Sequence, residues 1–460
     1  MIFRRILVAN RGEIAVRIIR TCRSLGIEAV LAASEADLDT VPARLADRVI
    51  CIGAAHSSAS YLNADAIVAA ARTVGADAIH PGYGFLSENR RLAHACAAAG
   101  VVFIGATEEQ LAAVGDKLTA RSHAVAAGLS VVPGGEIADL DRARQLAQNI
   151  GWPILVKAVG GGGGRGMQLV NEPAAFVDTI ERAVAEAGAA FGDSRVYLER
   201  FVAKGRHVEV QVLGDGERVI HLGDRDCSVQ RRYQKLVEEA PAPHLSDDLR
   251  TSLRHAAVVF AEHLRYRGLG TVEFLVDTER SASYFLEMNA RIQVEHPVTE
   301  AICGIDLVAE QIRVAEGRPL RLQQSDVAMT GHAIECRINA EDWSQDFRPS
   351  PGTVTEAVFP AGEGIRVDTH LQAGTVVPPY YDSLLAKLIV HGHDRADALS
   401  RLRRALDRCR ITGVATNLAI HAELVADGEF ARGGVDTAWF PRFLAGRASP
   451  TPAHAGDSRG

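Results

Sequence analysis

Phe285-Leu286-Glu287-Met288-Asn289-Ala290-Arg291-Ile292-Gln293-Val294-Glu295-His296-Pro297 carries the strongest pattern in the chain. Polar and apolar residues alternate through it, and in an extended chain alternate residues share a face. Glu287, Asn289, Arg291, Gln293 and Glu295 then line one side, with Met288, Ala290, Ile292 and Val294 on the other. An edge strand with a wetted face also alternates, but this mixture of acids and amides is poor β-forming composition for a plain solvent face. Just upstream, Gly270-Thr271-Val272-Glu273-Phe274-Leu275 can pair with it as a hairpin and bring Glu273 beside Glu287. Two carboxylates and an amide oxygen are hard ligands, suited to Mg²⁺ bridging ATP phosphates. Without a cation their repulsion would raise a pKa.

A second signal lies further upstream. The strand pattern Ile154–Val159 runs into five glycines, Gly160–Gly164, followed by Arg165-Gly166-Met167. Gly161, Gly163 and Gly166 satisfy the spacing G-x-G-x-x-G, but a dinucleotide-binding turn must open a helix. Here Met167–Val170 reads as another strand. Gly161 and Gly166 also have Walker A spacing, yet Met167-Gln168 stands where Lys-Ser/Thr is required. What remains is a strand–loop–strand flap whose bare backbone amides can converge on phosphate oxygens, with Lys157 adding a point charge.

Of the 50 lysines and arginines, only five are lysine: Lys117, Lys157, Lys204, Lys235 and Lys387. An ammonium is a compact charge with a tunable pKa, so these positions are candidates for work a planar guanidinium cannot do.

The first hundred residues alternate strand and helix patterns. Arg5–Ala9, Glu28–Ala33, Asp77–His80 and Val101–Ile104 read as strands, and Glu13–Leu25 and Arg90–Ala99 as helices. That is a parallel α/β unit, which binds ligands at the carboxyl ends of its strands. His80-Pro81-Gly82-Tyr83-Gly84-Phe85 is therefore a candidate site loop. A smaller α/β segment follows from about residue 131 to 203. Antiparallel signals then begin: Val208, Val210 and Val212 alternate with His207, Glu209 and Gln211, and Gly214-Asp215-Gly216 supplies a hairpin turn.

Composition sets the outer bounds. A chain of 460 residues with 47% hydrophobic and 23% charged residues fits a soluble protein of two or three units. The net charge of −7 argues against a nucleic-acid or anionic-membrane partner. No apolar run is long enough to span a membrane, and the start reads as a buried strand rather than a signal peptide. Seven widely spaced cysteines fit reduced thiols in the cytoplasm. The last dozen residues, 449–460, lack large apolar side chains and are expected to be disordered.

Together, the run Glu287–Glu300, the loop Lys157–Met167 and Arg225-Asp226-Cys227-Ser228-Val229-Gln230-Arg231-Arg232-Tyr233-Gln234-Lys235 resemble biotin carboxylase, an ATP-grasp enzyme. Asn10-Arg11-Gly12-Glu13-Ile14-Ala15, Gly331-His332-Ala333-Ile334-Glu335-Cys336-Arg337 and Tyr380-Tyr381-Asp382-Ser383 match as well, and the similarity covers about residues 1–445. The resemblance implies a mixed α/β and α+β architecture: an N-terminal parallel α/β (pre-ATP-grasp) domain with its linker over 1–130, a mobile ATP-grasp lid over 131–203, and a C-terminal antiparallel-sheet domain over 204–448.

It also implies roles. Lys117, Lys157, Gly163, Gly164, Glu199, Arg200, Phe201, Val202, His207 and Gln230 would hold ATP. Glu273 and Glu287, with Asn289, would hold two Mg²⁺ ions, with Mn²⁺ as an alternative. Lys235, Arg291, Gln293 and the backbone of Val294 would grip bicarbonate. Glu295 would be the general base, Arg337 would stabilise the biotin enolate, and Tyr83 would lie near the biotin. No methionine has a lysine neighbour, so biotin would arrive as a substrate on a separate carrier protein. The chain would work as a homodimer beside a carboxyltransferase, as the biotin carboxylase of an acetyl-CoA carboxylase or a related acyl-CoA carboxylase in fatty acid biosynthesis. Two other readings share part of this pattern: another ATP-grasp ligase, and a catalytically silent nucleotide-binding subunit. Tyr233 stands where the family often has His.

Overall fold

The computed structural model describes residues 2–160 and 166–447. Gly163 and Gly164 of the glycine run, and the tail 449–460, lie outside the described residues.

Arg5–Val8 sits at the centre of a five-stranded parallel sheet ordered Arg48–Cys51, Glu28–Ala33, Arg5–Val8, Ala78–His80, Val102–Phe103. The four strands expected from sequence are all present, each within a residue or two of its expected limits. Arg48–Cys51 is additional: it is an edge strand with most of its residues exposed, so it carries no apolar run to betray it. The helix Gly12–Ser24 buries Ile14, Ile18, Ile19 and Cys22, a face at helical spacing packed against the sheet. Ala78–His80 delivers the loop that carries Tyr83 at its carboxyl end.

The middle segment forms a sheet of its own, four antiparallel strands in the order Gly134–Glu136, Val196–Arg200, Ile154–Ala158, Met167–Val170. Lys157 pairs with Met167, so the glycine run is the connection between two adjacent strands, as the flap reading requires. Helices Leu140–Ile150 and Phe176–Phe191 supply Ala143, Ala147, Phe176 and Ile180 to its apolar core.

Beyond residue 204 the backbone builds an eight-stranded antiparallel sheet. Its order is Ala282–Asn289, Arg267–Asp277, Gly205–Asp215, Val219–Arg231, Gln234–Ala240, His332–Asn339, Leu384–Gly392, Ile365–Thr369. The hairpin expected at Gly214–Gly216 is there, closed by the Asp215 amide on the Arg218 carbonyl. Glu273 lies opposite Glu287, as the hairpin reading anticipated. One face of the sheet is apolar: Val208, Val210, Val212, Val272 and Phe274 pack under the helix Asp247–His263. The opposite face carries the charged side chains of the site.

The run 285–297 departs from the extended ribbon anticipated for it. It is extended only to Asn289; a loop follows, then a turn at Val294-Glu295, then the helix His296–Cys303. A contact from far along the chain and a fold-back of the segment on itself account for this. The Ala290 amide leaves the ladder to donate to Glu88 Oε1 at 2.8 Å, and Arg291 folds back onto its own segment, reaching Asn289 Oδ1 at 2.6 Å and the Ile292 carbonyl at 3.1 Å. Pro297 then occupies the first turn of a helix, where its missing N–H costs nothing. Met288, Ala290 and Ile292 keep their apolar surroundings. Val294 does not: it borders the polar cavity described below.

Phe260 is fully buried under this sheet, its ring 4.6 Å from that of Phe285. Phe260→Ala is expected to cost about 3–5 kcal/mol, the usual range for removing a core aromatic. Urea unfolding followed by far-UV circular dichroism measures it, and a loss below about 1 kcal/mol would contradict this account of the core.

Candidate active site

A cavity of about 670 Å³ opens where the three sheets meet. Its walls include Tyr83 from the N-terminal sheet, Lys157 and Glu199–Val202 from the middle sheet, and His207, Gln230, Lys235, Glu273, Glu287 and Arg337 from the large sheet. Lys117, Asn289, Arg291, Gln293 and Val294 complete the set expected from sequence. Of the described candidates only Glu295 is missing from the wall. It lies just behind it, fully buried.

Strand register explains why so many charges meet. Directly opposed residues of an antiparallel pair share a face. Glu287 opposes Glu273, Glu273 opposes Glu209, and Glu209 opposes Arg225. At the other end Glu238 opposes Glu335, Arg337 opposes Lys387, and Lys387 opposes Asp368. Between Gln230↔Lys235 and Val229↔Val237 the register slips by one residue. That bulge lets Glu238 share the face of Lys235 despite their odd separation.

Lys235 is the hub. Its ammonium lies 2.7 Å from Glu209 Oε2, 2.7 Å from Glu295 Oε1 and 3.3 Å from Glu273 Oε1. Burial works against its charge, but the three carboxylates hold its pKa well above the usual lysine value. Arg225, fully buried, braces Glu209 at 2.5 Å and also binds Gln211, Thr271 and Thr299. On the other side of Glu295, Arg337 reaches Oε2 at 2.9 Å and donates through Nε to Glu238 at 2.5 Å. Burial alone would raise the pKa of Glu295, yet Lys235, Arg337 and Arg225 hold it well below the normal carboxylate range. An ionised carboxylate is thus kept ready between two cations.

The metal candidates behave differently from one another. Glu273 is engaged by Lys235, by His207 Nε2 at 2.9 Å, and by the amides of Asn289 and Gln293 at 3.4 and 3.3 Å. Burial opposes its ionisation, but Lys235 and His207 depress its pKa. Glu287 accepts no hydrogen bond from any described residue. Burial and the neighbouring Glu273 charge push its pKa up. An acid pair on a cavity wall, one member of which accepts no hydrogen bond, fits a hard divalent cation; the Asn289 oxygen is held on Arg291 at 2.6 Å while its amide nitrogen faces Glu273. Glu209, unanticipated here, forms a second cluster with His207 and Glu273 whose ligand atoms lie within 4.8 Å of one another.

On the middle sheet, Lys157 is held on Glu199 at 2.5 Å. Burial disfavours its charge, but Glu199 raises its pKa. Lys117 is lowered by burial, against the attraction of Glu287. Arg291 is clamped by Glu88 Oε2 at 2.9 Å and by Gln293 Oε1 at 2.8 Å. Tyr83 donates its hydroxyl to Glu13. Tyr233 sits exposed at the tip of the Val219–Ala240 hairpin with φ 67°, beside the cavity.

Sequence reasoning missed Glu88, Glu209, Arg225, Glu238 and Lys387. Glu209 and Lys387 each left a trace, one in a polar alternation and the other in the scarcity of lysine. Glu238 left none, because a bulge breaks the parity that would have revealed it.

The sheet order, the paired strands that flank the glycine run and the acid-lined cavity define an ATP-grasp ligase. Three family models cover the chain: "Biotin carboxylase, N-terminal domain" over residues 2–111, "Carbamoyl-phosphate synthase L chain, ATP binding domain" over 116–323, and "Biotin carboxylase C-terminal domain" over 335–442. The biotin carboxylase of a Nostoc species is 51% identical over 443 residues, spanning 95% of this chain and 99% of that protein. The Campylobacter jejuni biotin carboxylase, solved as a β,γ-ATP complex, superposes with a TM-score of 0.93 at 45% identity, covering 96% of this chain and 99% of that one. The biotin carboxylase domain dimer of Hydrogenobacter thermophilus 2-oxoglutarate carboxylase, solved with MgADP, ADP and bicarbonate, gives a TM-score of 0.93 at 44% identity, covering 96% and 98%. The chain belongs to the biotin carboxylase family.

Glu238 supplies a test of the site's electrostatics. Burial raises its pKa from 4.5 to about 7, and Glu295 adds to the rise while Arg337 opposes it. Folded protein then holds a proton that an unfolded chain has released, so stability falls as pH rises between those two values. In urea unfolding from pH 5 to 8, Glu238→Gln is expected to flatten this decline. An unchanged slope would contradict the assignment.

Proposed function

We propose that this site carboxylates biotin carried on a separate protein, using ATP and bicarbonate through carboxyphosphate, with the following division of labour. Lys117, Lys157, His207, Gln230 and the segment Glu199–Val202 hold the nucleotide. Gly163 and Gly164 belong to the same set. Glu273 and Glu287, with Asn289, hold Mg²⁺, which supplies positive charge to the phosphates when bound. Lys235, Arg291, Gln293 and the Val294 backbone grip bicarbonate. The lid over 131–203 closes above the reactants, the segment 1–130 supplies Tyr83, and 204–448 carries the acids and cations.

The observation that carries this reading is Glu295, ionised and buried between Lys235 at 2.7 Å and Arg337 at 2.9 Å. Bicarbonate is a poor nucleophile until it loses its proton. Glu295 accepts that proton, and the freed oxygen attacks the γ-phosphorus while the bond to ADP breaks. Lys235 and Arg291 balance the charge that builds on the anion. Carboxyphosphate then separates into CO₂ and phosphate. The ureido nitrogen of biotin gives up its proton to phosphate and attacks CO₂, and Arg337 offsets the negative charge on the ureido oxygen as it develops. Closure of the lid keeps water from these short-lived species.

Partners follow from the chemistry. The carboxylated product must reach an acceptor through a biotin carrier and a carboxyltransferase, with this chain acting as a homodimer in the cytoplasm. The identity of the acceptor belongs to the transferase. Among the described residues no helix is long and apolar enough to cross a membrane, and all seven cysteines are free thiols.

Free biotin together with bicarbonate is expected to stimulate ATP cleavage by the purified chain, and no stimulation would defeat the reading. Glu295→Gln is expected to lower biotin-dependent turnover by about 10²–10⁴-fold, the range for a general base. Turnover near that of the parent would remove Glu295 from its role.

A further inference from the structure

Lys387 is one of the five lysines in an arginine-rich chain, and nothing in the proposed chemistry uses it. Its side chain is fully buried on the polar face of the large sheet, opposite Arg337 on one neighbouring strand and Asp368 on the other. The ammonium donates to the Val294 carbonyl at 2.9 Å, and lies 3.1 Å from Glu13 Oε1 and 3.8 Å from Asp368 Oδ2. A carbonyl and a carboxylate reached in different directions from a single nitrogen, with a second carboxylate nearby, suit an ammonium, whose donors diverge. The flat fork of arginine cannot match them.

The carbonyl it holds is the one next to the base. Val294 and Glu295 form a tight turn in which His296 Nδ1 lies 2.7 Å from the Gln293 carbonyl. Both carbonyls that precede Glu295 are therefore tied down, Gln293's by His296 and Val294's by Lys387. Gln293 and Val294 are left lining it. Burying a cation is expensive, and charge balance alone gives little reason to place one here. Asp368 already has Arg366 at 2.9 and 2.6 Å. Glu13 has the Tyr83 hydroxyl, and a neutral side chain at 387 beside a neutral one at 13 would avoid the cost altogether.

We propose that Lys387 is a positioning residue for bicarbonate: it fixes the Val294 carbonyl, and so the Gln293–Glu295 turn, to Glu13 on the first helix of the N-terminal domain. The proposal rests on the reading of Gln293 and Val294 as part of the bicarbonate site. It makes that site depend on an element remote in sequence, since this ammonium touches both Glu13 and the Val294 carbonyl.

The test uses the full chain and steady-state ATP cleavage with free biotin, varying bicarbonate and ATP separately. Lys387→Met is expected to raise the KM for bicarbonate about tenfold or more, because small misplacements of a binding group have effects of that order. The KM for ATP should stay within about twofold. Lys387→Met/Glu13→Gln removes the acid left without its cation. It should recover the melting temperature lost in the single variant while keeping the raised bicarbonate KM, and it carries the test if the single variant does not fold. Recovery of both quantities in the double variant would reduce Lys387 to a counter-ion of Glu13 and overturn the proposal. So would a parallel rise in both KM values. Gln293→Ala separates the two levels of inference. If it leaves the bicarbonate KM unchanged, the bicarbonate reading itself is wrong and the proposal falls with it. If it raises that KM while Lys387→Met does not, only the role of Lys387 is refuted.

Discussion

Charge compensation on one buried sheet face governs this molecule. Glu209, Glu273 and Glu295 are all at least nine-tenths buried, and each would be costly to keep ionised alone. They persist because Lys235, Arg225 and Arg337 are interleaved with them at hydrogen-bond distance. The antiparallel register makes this possible, since it stacks acids and bases in rows that no single strand could assemble. The apolar underside, packed beneath the helix Asp247–His263, holds the rows in place. Fold and reactivity are therefore one arrangement: a slip of one residue would turn the charges into the hydrocarbon core and the valines into the cavity.

The same face shows where the compensation stops. Glu287 has no hydrogen-bonded partner among the described residues, and Glu335 is fully buried with both oxygens unpaired. They differ in setting. Glu287 borders the cavity, where a cation from solution can reach it. Glu335 lies deep between Glu238 and Ile389 in the register, where burial raises its pKa well above the usual value against the pull of Lys387.

Much of this was legible in the residues themselves. Apolar runs located the parallel strands, the polar–apolar alternation of 207–213 located a central strand, and the two strands flanking the glycines set the flap. Pairing of Glu273 with Glu287 followed from reading two consecutive runs as a hairpin. Other features depended on contacts between distant segments. The ribbon after Asn289 is bent by Glu88, some two hundred residues upstream, and no local pattern encodes that. The exposed edge strand Arg48–Cys51 lacks an apolar run, and the bulge near Leu236 reverses the parity from which Glu238 could have been read. Roles assigned by family resemblance reached the wall of the cavity. The layer behind it, Arg225, Glu238 and Lys387, needed three-dimensional neighbours.

The placement of Glu295 has a bearing on economy. Its two oxygens are capped by Lys235 and Arg337, and none of its surface meets solvent. A proton acceptor left open to water beside bound nucleotide would invite idle hydrolysis. Here both oxygens of the acceptor are occupied by cations, so what shields it from water is the same pair of charges that keeps it ionised.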